Sequence, residues 1–290
     1  MPNTLAHLGV NALATRGLLR GADLKWIWAG CVLPDLPWIG QRLVRAVAPD
    51  AWAIDIRAYA IAQSSLFITL VLAAALALLS RAPWRSFQIL ALGALLHLLL
   101  DATQTKWANG VILFAPFDWH LLNLGWYWPE DAMTWALSGL GAVYAIRAFI
   151  RERPVAVRRP ARPAWAALVL LAYLSMPLAF MPAVQQADLH FIRTLANPGI
   201  RTGRLIEIDR NTLAAGGHLH AWTGERLSLS GTLPQSQTTI SLRGRFTAPD
   251  RIAVSTYHEH PPGLRDYLSY AGLLIVMTWW LWAAWRGTIR

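Results

Sequence analysis

Seven stretches of this chain are apolar enough to leave water, and together they leave too little sequence for an ordinary soluble core. A helix rises about 1.5 Å per residue, so roughly 20 residues cross about 30 Å of hydrocarbon. Tyr59 to Ser80, Trp165 to Val184 and Tyr267 to Trp285 meet that length, and Met133 to Ile150 does so with Arg147 snorkelling to its end. A fifth run, Phe87 to Lys106, carries His97 and Asp101. Two shorter runs, Thr4 to Leu19 and Trp26 to Gly40, fit as tilted, half-inserted or packed segments. With 55% apolar residues, 14% charged residues and a mean hydropathy of +0.36, disorder is excluded. Several of the sixteen Trp, among them Trp26, Trp84, Trp107, Trp128, Trp165 and Trp282, fall near ends of apolar runs, where an amphipathic indole gains most. The fold class predicted is mainly α, a polytopic membrane helix bundle of about five to seven spans.

Charge sets the orientation of that bundle. The net charge of +10 is concentrated at Arg81 and Arg85, in the linker from Arg151 to Arg162, and at Arg286 and Arg290. Even numbers of spans separate these segments, so all can face the cytoplasm at once, as the positive-inside rule requires. The surplus therefore reads as topology with affinity for anionic lipid, and nucleic acid is not an expected partner. The hydrophilic insert at 185–266 then falls outside. Its strand-like runs, Arg204 to Ile208, His218 to Trp222, Arg226 to Ser230, Thr238 to Phe246 and Arg251 to Tyr257, predict a small sandwich or barrel. The expected organisation is a membrane domain over 1–150, a basic Pro/Arg linker over 151–164, a span over 165–184, the outer β domain over 185–266, and a last span with its basic tail over 267–290. The single cysteine, Cys31, excludes an intrachain disulfide and any multi-cysteine metal site. The N-terminus has neither a basic n-region nor a small-residue cleavage pattern, so a cleaved signal peptide is not expected.

Ionisable groups within apolar segments are costly and need a partner, a cavity or an ion. This chain has a compact set: His7, Asp35, His97 and Asp101. His97 and Asp101 stand at i and i+4, on one helix face about 6 Å apart, a separation one metal ion bridges. If the chain enters from outside through Thr4 to Leu19 and climbs back through Trp26 to Gly40, then His7, Asp35 and Asp101 lie within one turn of the same depth, with His97 one turn deeper. Two imidazoles and two carboxylates suit a divalent cation, Zn first, with room for an activated water. Each residue taken singly also fits helix packing or capping. Asp118 and His120 in PFDWH either line the mouth of such a site as catalytic groups or belong to a solvated loop. Thr105 offers a supporting hydrogen bond or a packing contact. The His218/His220 and His258/His260 pairs share strand faces, which suits either a metal or ordinary polar exposure; Glu259 is the carboxylate beside them.

MPNTLAHLG, the LPD ending at Asp35, the H-x-x-x-D of His97 to Asp101, and GVILFAPF at Gly110 to Phe117 resemble the inner-membrane metal-dependent hydrolases of the YdjM group. The opening Met-Pro-x-x-x-x-His is distantly similar to zinc-dependent phospholipase C. The resemblance covers the first 120 to 150 residues. It implies a membrane hydrolase with His7, Asp35, His97 and Asp101 as metal ligands. Where that group carries His-Arg-Gly-x-Thr-His-Ser, this chain reads IRAYAIAQSSLF, keeping Arg57 and Ser65 and lacking both histidines.

The expected function is thus a metal-dependent hydrolase of the bacterial inner membrane, multi-pass with its C-terminus cytoplasmic. It would act on a lipid-derived or phosphate ester near the outer face, with membrane lipids as partners and a lipid or lipid-linked molecule as substrate. The alternative is a non-enzymatic anchor that presents the outer β domain for binding.

Overall fold

In the computed structural model, residues 3–48, 52–261 and 263–288 are described; Met1 and Pro2 of the opening motif and Arg290 of the basic tail lie outside them. Asn3 starts helix α1 (Thr4–Leu18), its side chain accepting the Ala6 N–H at 3.0 Å. At fifteen residues α1 is about 22 Å long, short of a full crossing. Asp23 caps α2 (Leu24–Val32). The run Trp26 to Gly40 is then divided by a 3₁₀ turn at Leu33–Asp35 before α3 (Leu36–Val47), because Pro34 and Pro37 have no N–H to continue the ladder.

The run Tyr59 to Ser80, expected as one span, is two helices, α4 (Ala53–Gln63) and α5 (Leu66–Leu78), bent by 69°. The break has a local cause. The Ser64 and Ser65 hydroxyls donate back to the Ile61 and Ala62 carbonyls at 3.0 and 2.7 Å, and the Leu66 N–H leaves the helix ladder for the Ile112 carbonyl at 2.9 Å. Among the described residues, four helices are long and apolar enough to cross a membrane: α6 (Pro83–Ala102), α7 (Ala132–Arg151), α8 (Pro163–Gln186) and α10, whose qualifying stretch is Arg265–Thr288. Counted as one broken span, the bent pair would make five. The helix expected to run to Lys106 ends at Ala102, and the chain turns back there.

Glycines let the bundle close. A Cβ on Gly30 of α2 would lie 2.6 Å from the Leu90 carbonyl oxygen of α6, and one on Gly9 of α1 would lie 2.6 Å from Gly141 Cα of α7. Around these crossings Trp28, Trp279, Leu8 and Ile27 are fully buried. One end of the bundle gathers the basic segments. Arg81, Arg85, Arg158 and Arg159 line one hollow, the Arg85 guanidinium donates to the Arg20 carbonyl at 2.6 Å, and the linker's Val157 N–H bonds the Ala283 carbonyl at 3.0 Å. Arg16 holds Glu152 through two 2.7 Å hydrogen bonds nearby.

The opposite end bears the β domain. Strands β1 (Leu205–Ala214), β2 (His218–His220), β3 (Arg226–Ser230), β4 (Thr238–Ala248) and β5 (Arg251–His260) close into a barrel in the order β1-β2-β3-β5-β4, antiparallel except for the β3–β5 pair. Inward Ile206, Ile208, Leu219, Leu227, Leu242 and Phe246 fill it. The 185–266 insert is therefore not all β: α8 extends to Gln186, and short turns with α9 (Ile192–Ala196) precede the barrel. Strand β1 continues beyond the expected Ile208 through an irregularity at Asp209 and Arg210, where Arg210 adopts φ +51°.

Candidate metal centre

Two helices and one turn deliver the four polar residues of the apolar segments to one place. His7 comes from the first turn of α1, Asp35 from the Pro-bounded turn, and His97 and Asp101 from consecutive turns of α6. All four are buried. His7 Nε2 lies 3.3 Å from Asp101 Oδ1, and His97 Nε2 lies 3.5 Å from Asp35 Oδ1 and 4.0 Å from Asp101 Oδ2. The two imidazoles stack with centroids 3.9 Å apart and planes 13° apart. His7, His97 and Asp101 form the tightest set, each offering a donor atom within 4.8 Å of the others; Asp35 stands at its edge.

None of these contacts satisfies the groups that make them. Both ring nitrogens of His7 and of His97, together with Asp35 Oδ1 and Asp101 Oδ1, are buried without a hydrogen-bond partner among the described residues. Each orphaned buried polar atom costs about 1–3 kcal/mol, so such a concentration needs a compensating ligand. Nitrogen and oxygen donors in this number suit a divalent cation. Asp101 divides its oxygens: Oδ2 receives the Lys106 ammonium at 3.0 Å, leaving Oδ1 toward His7. Lys106 reaches Asp101 because α6 stops at Ala102 and the chain doubles back, a partner that helical periodicity does not indicate. Thr105, the expected supporting residue, bonds through its backbone N–H to the Tyr127 carbonyl at 2.7 Å.

The cluster opens into a cavity of about 280 Å³. Its walls combine the bundle, through Asp35, His97, Asp101 and Arg57, with the barrel, through Asp209, Arg210, Asn211 and Trp222. The sequence reading treated the β insert as a separate outer domain; its strands in fact roof this cavity. Asp118 and His120 do not line it. They pair with each other on an exposed loop, the His120 side chain 94% exposed, and that hydrogen bond holds the Asp118 carboxyl below its ordinary range. Of the two readings, the solvated loop is the one the structure has and the mouth of the site is not: His120 borders a separate hollow that also includes Trp119 and Glu207.

A second group of donors lies where the barrel meets the bundle. Glu130, from the loop before α7, receives His260 Nδ1 at 3.0 Å and the Arg210 guanidinium, with His258 Nε2 at 3.6 Å. These three residues are also positioned to hold a metal. Here His260 is fully engaged, its Nε2 meeting the Ser241 hydroxyl at 2.7 Å, and His258 stacks on Trp128 at 3.7 Å, whereas Glu130 Oε2 and His258 Nε2 are buried without a hydrogen-bond partner among the described residues. Burial would raise the Glu130 carboxyl, but the His260 hydrogen bond and the Arg210 charge outweigh it and bring it to about 2. Burial, followed by the neighbouring His260, lowers the His258 imidazole. The pair His258/His260 was legible as a shared strand face, but Glu130 lies 130 residues from His260 and could not be paired with it from spacing. Among the described residues His218 and His220 gather no comparable group; His218 Nδ1 stands 3.5 Å from the Ser228 hydroxyl, and His220 is exposed.

No family model, no curated protein and no solved structure matches this chain.

Proposed function

We propose that this chain is a multi-pass membrane hydrolase of the bacterial inner membrane that uses a divalent metal, with zinc the best fit, held by His7, His97 and Asp101 and joined by Asp35. The observation that carries this reading is the convergence of buried, hydrogen-bond-orphaned N and O donors from two helices and a turn, with Asp35, His97 and Asp101 lining one cavity. A divalent cation in that set supplies Lewis acidity and brings the pKa of a water molecule toward neutrality, which is the chemistry of metal-assisted ester hydrolysis. The chain's own contribution is orientation and exclusion: Lys106 fixes one oxygen of Asp101, the stacked imidazoles fix each other's planes, and the barrel roof limits access of bulk water. The resemblance of the MPNTLAHLG, LPD and H-x-x-x-D segments to the YdjM group supports the same assignment. In this reading the basic end faces the cytoplasm and the barrel lies outside, because the arginine-rich segments collect at the end opposite the barrel. An anchor presenting an independent binding domain is less consistent with a barrel that supplies Asp209, Arg210, Asn211 and Trp222 to the wall of this cavity.

Elemental analysis of the purified full-length chain tests the proposal. We expect about one divalent ion per chain, lost in His97→Ala and Asp101→Ala variants that retain their gel-filtration profile. Wild-type protein without stoichiometric Zn, Mn or Fe would sink it.

A further inference from the structure

Arg57 is the unusual cation of the cavity. Its Nη2 meets His190 Nδ1 at 3.1 Å, and its guanidinium carbon lies 5.1 Å from the centroid of Trp38 and 5.0 Å from that of Trp222. It makes no ion pair with a described carboxylate, and its Nε is buried without a hydrogen-bond partner. Bundle, connector and barrel each contribute to this cage, through Trp38, His190 and Trp222 respectively. A guanidinium fixed between indoles keeps its in-plane N–H fork for a planar or tetrahedral oxyanion. Arg42 and Arg45 line the same cavity, also without a described ion-pair partner, whereas Lys106 and Arg210 are engaged by Asp101 and Glu130. The cavity thus places half-buried Arg57 and Arg45 and exposed Arg42 beside a buried donor cluster, with Asp209 also on its wall, and the partial desolvation of Arg57 between two indoles favours a compensating anion.

We propose that Arg57, assisted by Arg42 and Arg45, forms a phosphate-binding subsite for the substrate of this cavity, a reading that rests on the hydrolase assignment above. The space accommodates a headgroup rather than a whole lipid. A smaller opening of about 80 Å³ adjoins it, sharing Asp35, Trp38 and Arg42, and runs between α3 and α10 past Ser269, Tyr270 and Leu273. Tyr267, Tyr270, Leu274 and Met277 are exposed along α10 at that side. An acyl chain attached to a phosphate headgroup leaves the cavity through this gap. A phosphate-bearing lipid and a small soluble phosphate share the recognition chemistry, and the experiment separates them.

The full-length chain, purified in detergent as isolated, is titrated with inorganic phosphate and, in a second arm, with phosphatidic acid in neutral mixed micelles. Phosphate binding weakened tenfold or more in Arg57→Gln, and less in Arg57→Lys, supports the subsite. Should Arg57→Gln fail to fold, Arg57→Lys alone decides, since loss of the planar fork still weakens binding severalfold. Phosphatidic acid binding at least tenfold tighter than phosphate assigns a lipid source; equal affinities assign a soluble phosphate to the same subsite. Unchanged phosphate affinity in a folded Arg57 variant overturns the proposal even if metal and hydrolysis are found. Arg57-dependent phosphate binding by protein that holds no metal would leave the subsite standing and remove the hydrolase reading.

Discussion

His190 ties the cage around Arg57 to an acid-sensitive group. Burial, then the adjacent Arg57 cation, holds its imidazole well below the ordinary value of 6.5, so the neutral ring accepts the Arg57 N–H. Above pH 6.5 the ring is neutral in the folded and unfolded chain alike. Below that, the unfolded chain binds the proton and the folded one resists it, so stability falls as pH drops from about 6.5 toward the lowered folded value. Tryptophan-fluorescence melts from pH 7.5 to 5 should show this loss, and a His190→Gln variant should flatten it; an unaltered pH slope would refute the role. At this scale the sequence was informative about the donors and silent about their partners. His7, Asp35, His97 and Asp101 emerged from helical rise and i, i+4 spacing, which are one-dimensional quantities. Lys106 on Asp101, Trp38 and Trp222 around Arg57, and Glu130 beside His260 depend on chain reversals that no periodicity encodes.

Among the elements, the crossing of α2 and α6 decides whether the centre assembles. Gly30 admits the Leu90 carbonyl against α2, and Gly93 of α6 faces Gly30 in return, a Cβ there lying 3.1 Å from the Gly30 carbonyl carbon. Gly30→Ala must separate the helices, at a cost of about 1–3 kcal/mol for overpacking. Because α2 leads directly into Asp35 and α6 carries His97 and Asp101, that separation should also lower metal occupancy although no ligand is touched. Metal content and melting temperature of Gly30→Ala measured together check this; a destabilised variant with full metal would separate packing from site assembly. The broken run at Ser64–Ser65 teaches the complementary lesson. Hydropathy made Tyr59 to Ser80 the cleanest span, but it measures transfer from water and is blind to two hydroxyls that take backbone carbonyls and to an amide that finds Ile112.

For the whole molecule, the separation of basic end and barrel end makes a topological prediction. In right-side-out spheroplasts, Ser236→Cys in the β3–β4 loop should react with an impermeant maleimide, whereas Arg158→Cys should react only after lysis; native Cys31 is buried and contributes no background. The reverse labelling pattern would invert the proposed orientation. The barrel's seat on the bundle is equally testable. Arg201 is 1% exposed and donates to both Glu225 oxygens at 2.7 Å and to the Thr194, Leu195 and Pro249 carbonyls at 3.2, 2.5 and 2.8 Å, linking connector to barrel. Arg201→Met leaves those acceptors unpaired and should destabilise the barrel by about 2–3 kcal/mol, read as faster limited proteolysis within 205–260. Unchanged proteolysis would show that the connector does not hold it.

By itself the sequence determined where apolar length ends, which segments carry positive charge, and which few ionisable residues sit at a matched depth, because hydropathy, charge and helical rise are local and additive along the chain. The tertiary structure alone decided that the β barrel closes over the His/Asp cluster and that Arg57 shares its cavity. Those facts arise from contacts between residues more than a hundred positions apart, where packing and the need to satisfy buried polar groups, rather than any local preference, select the partner.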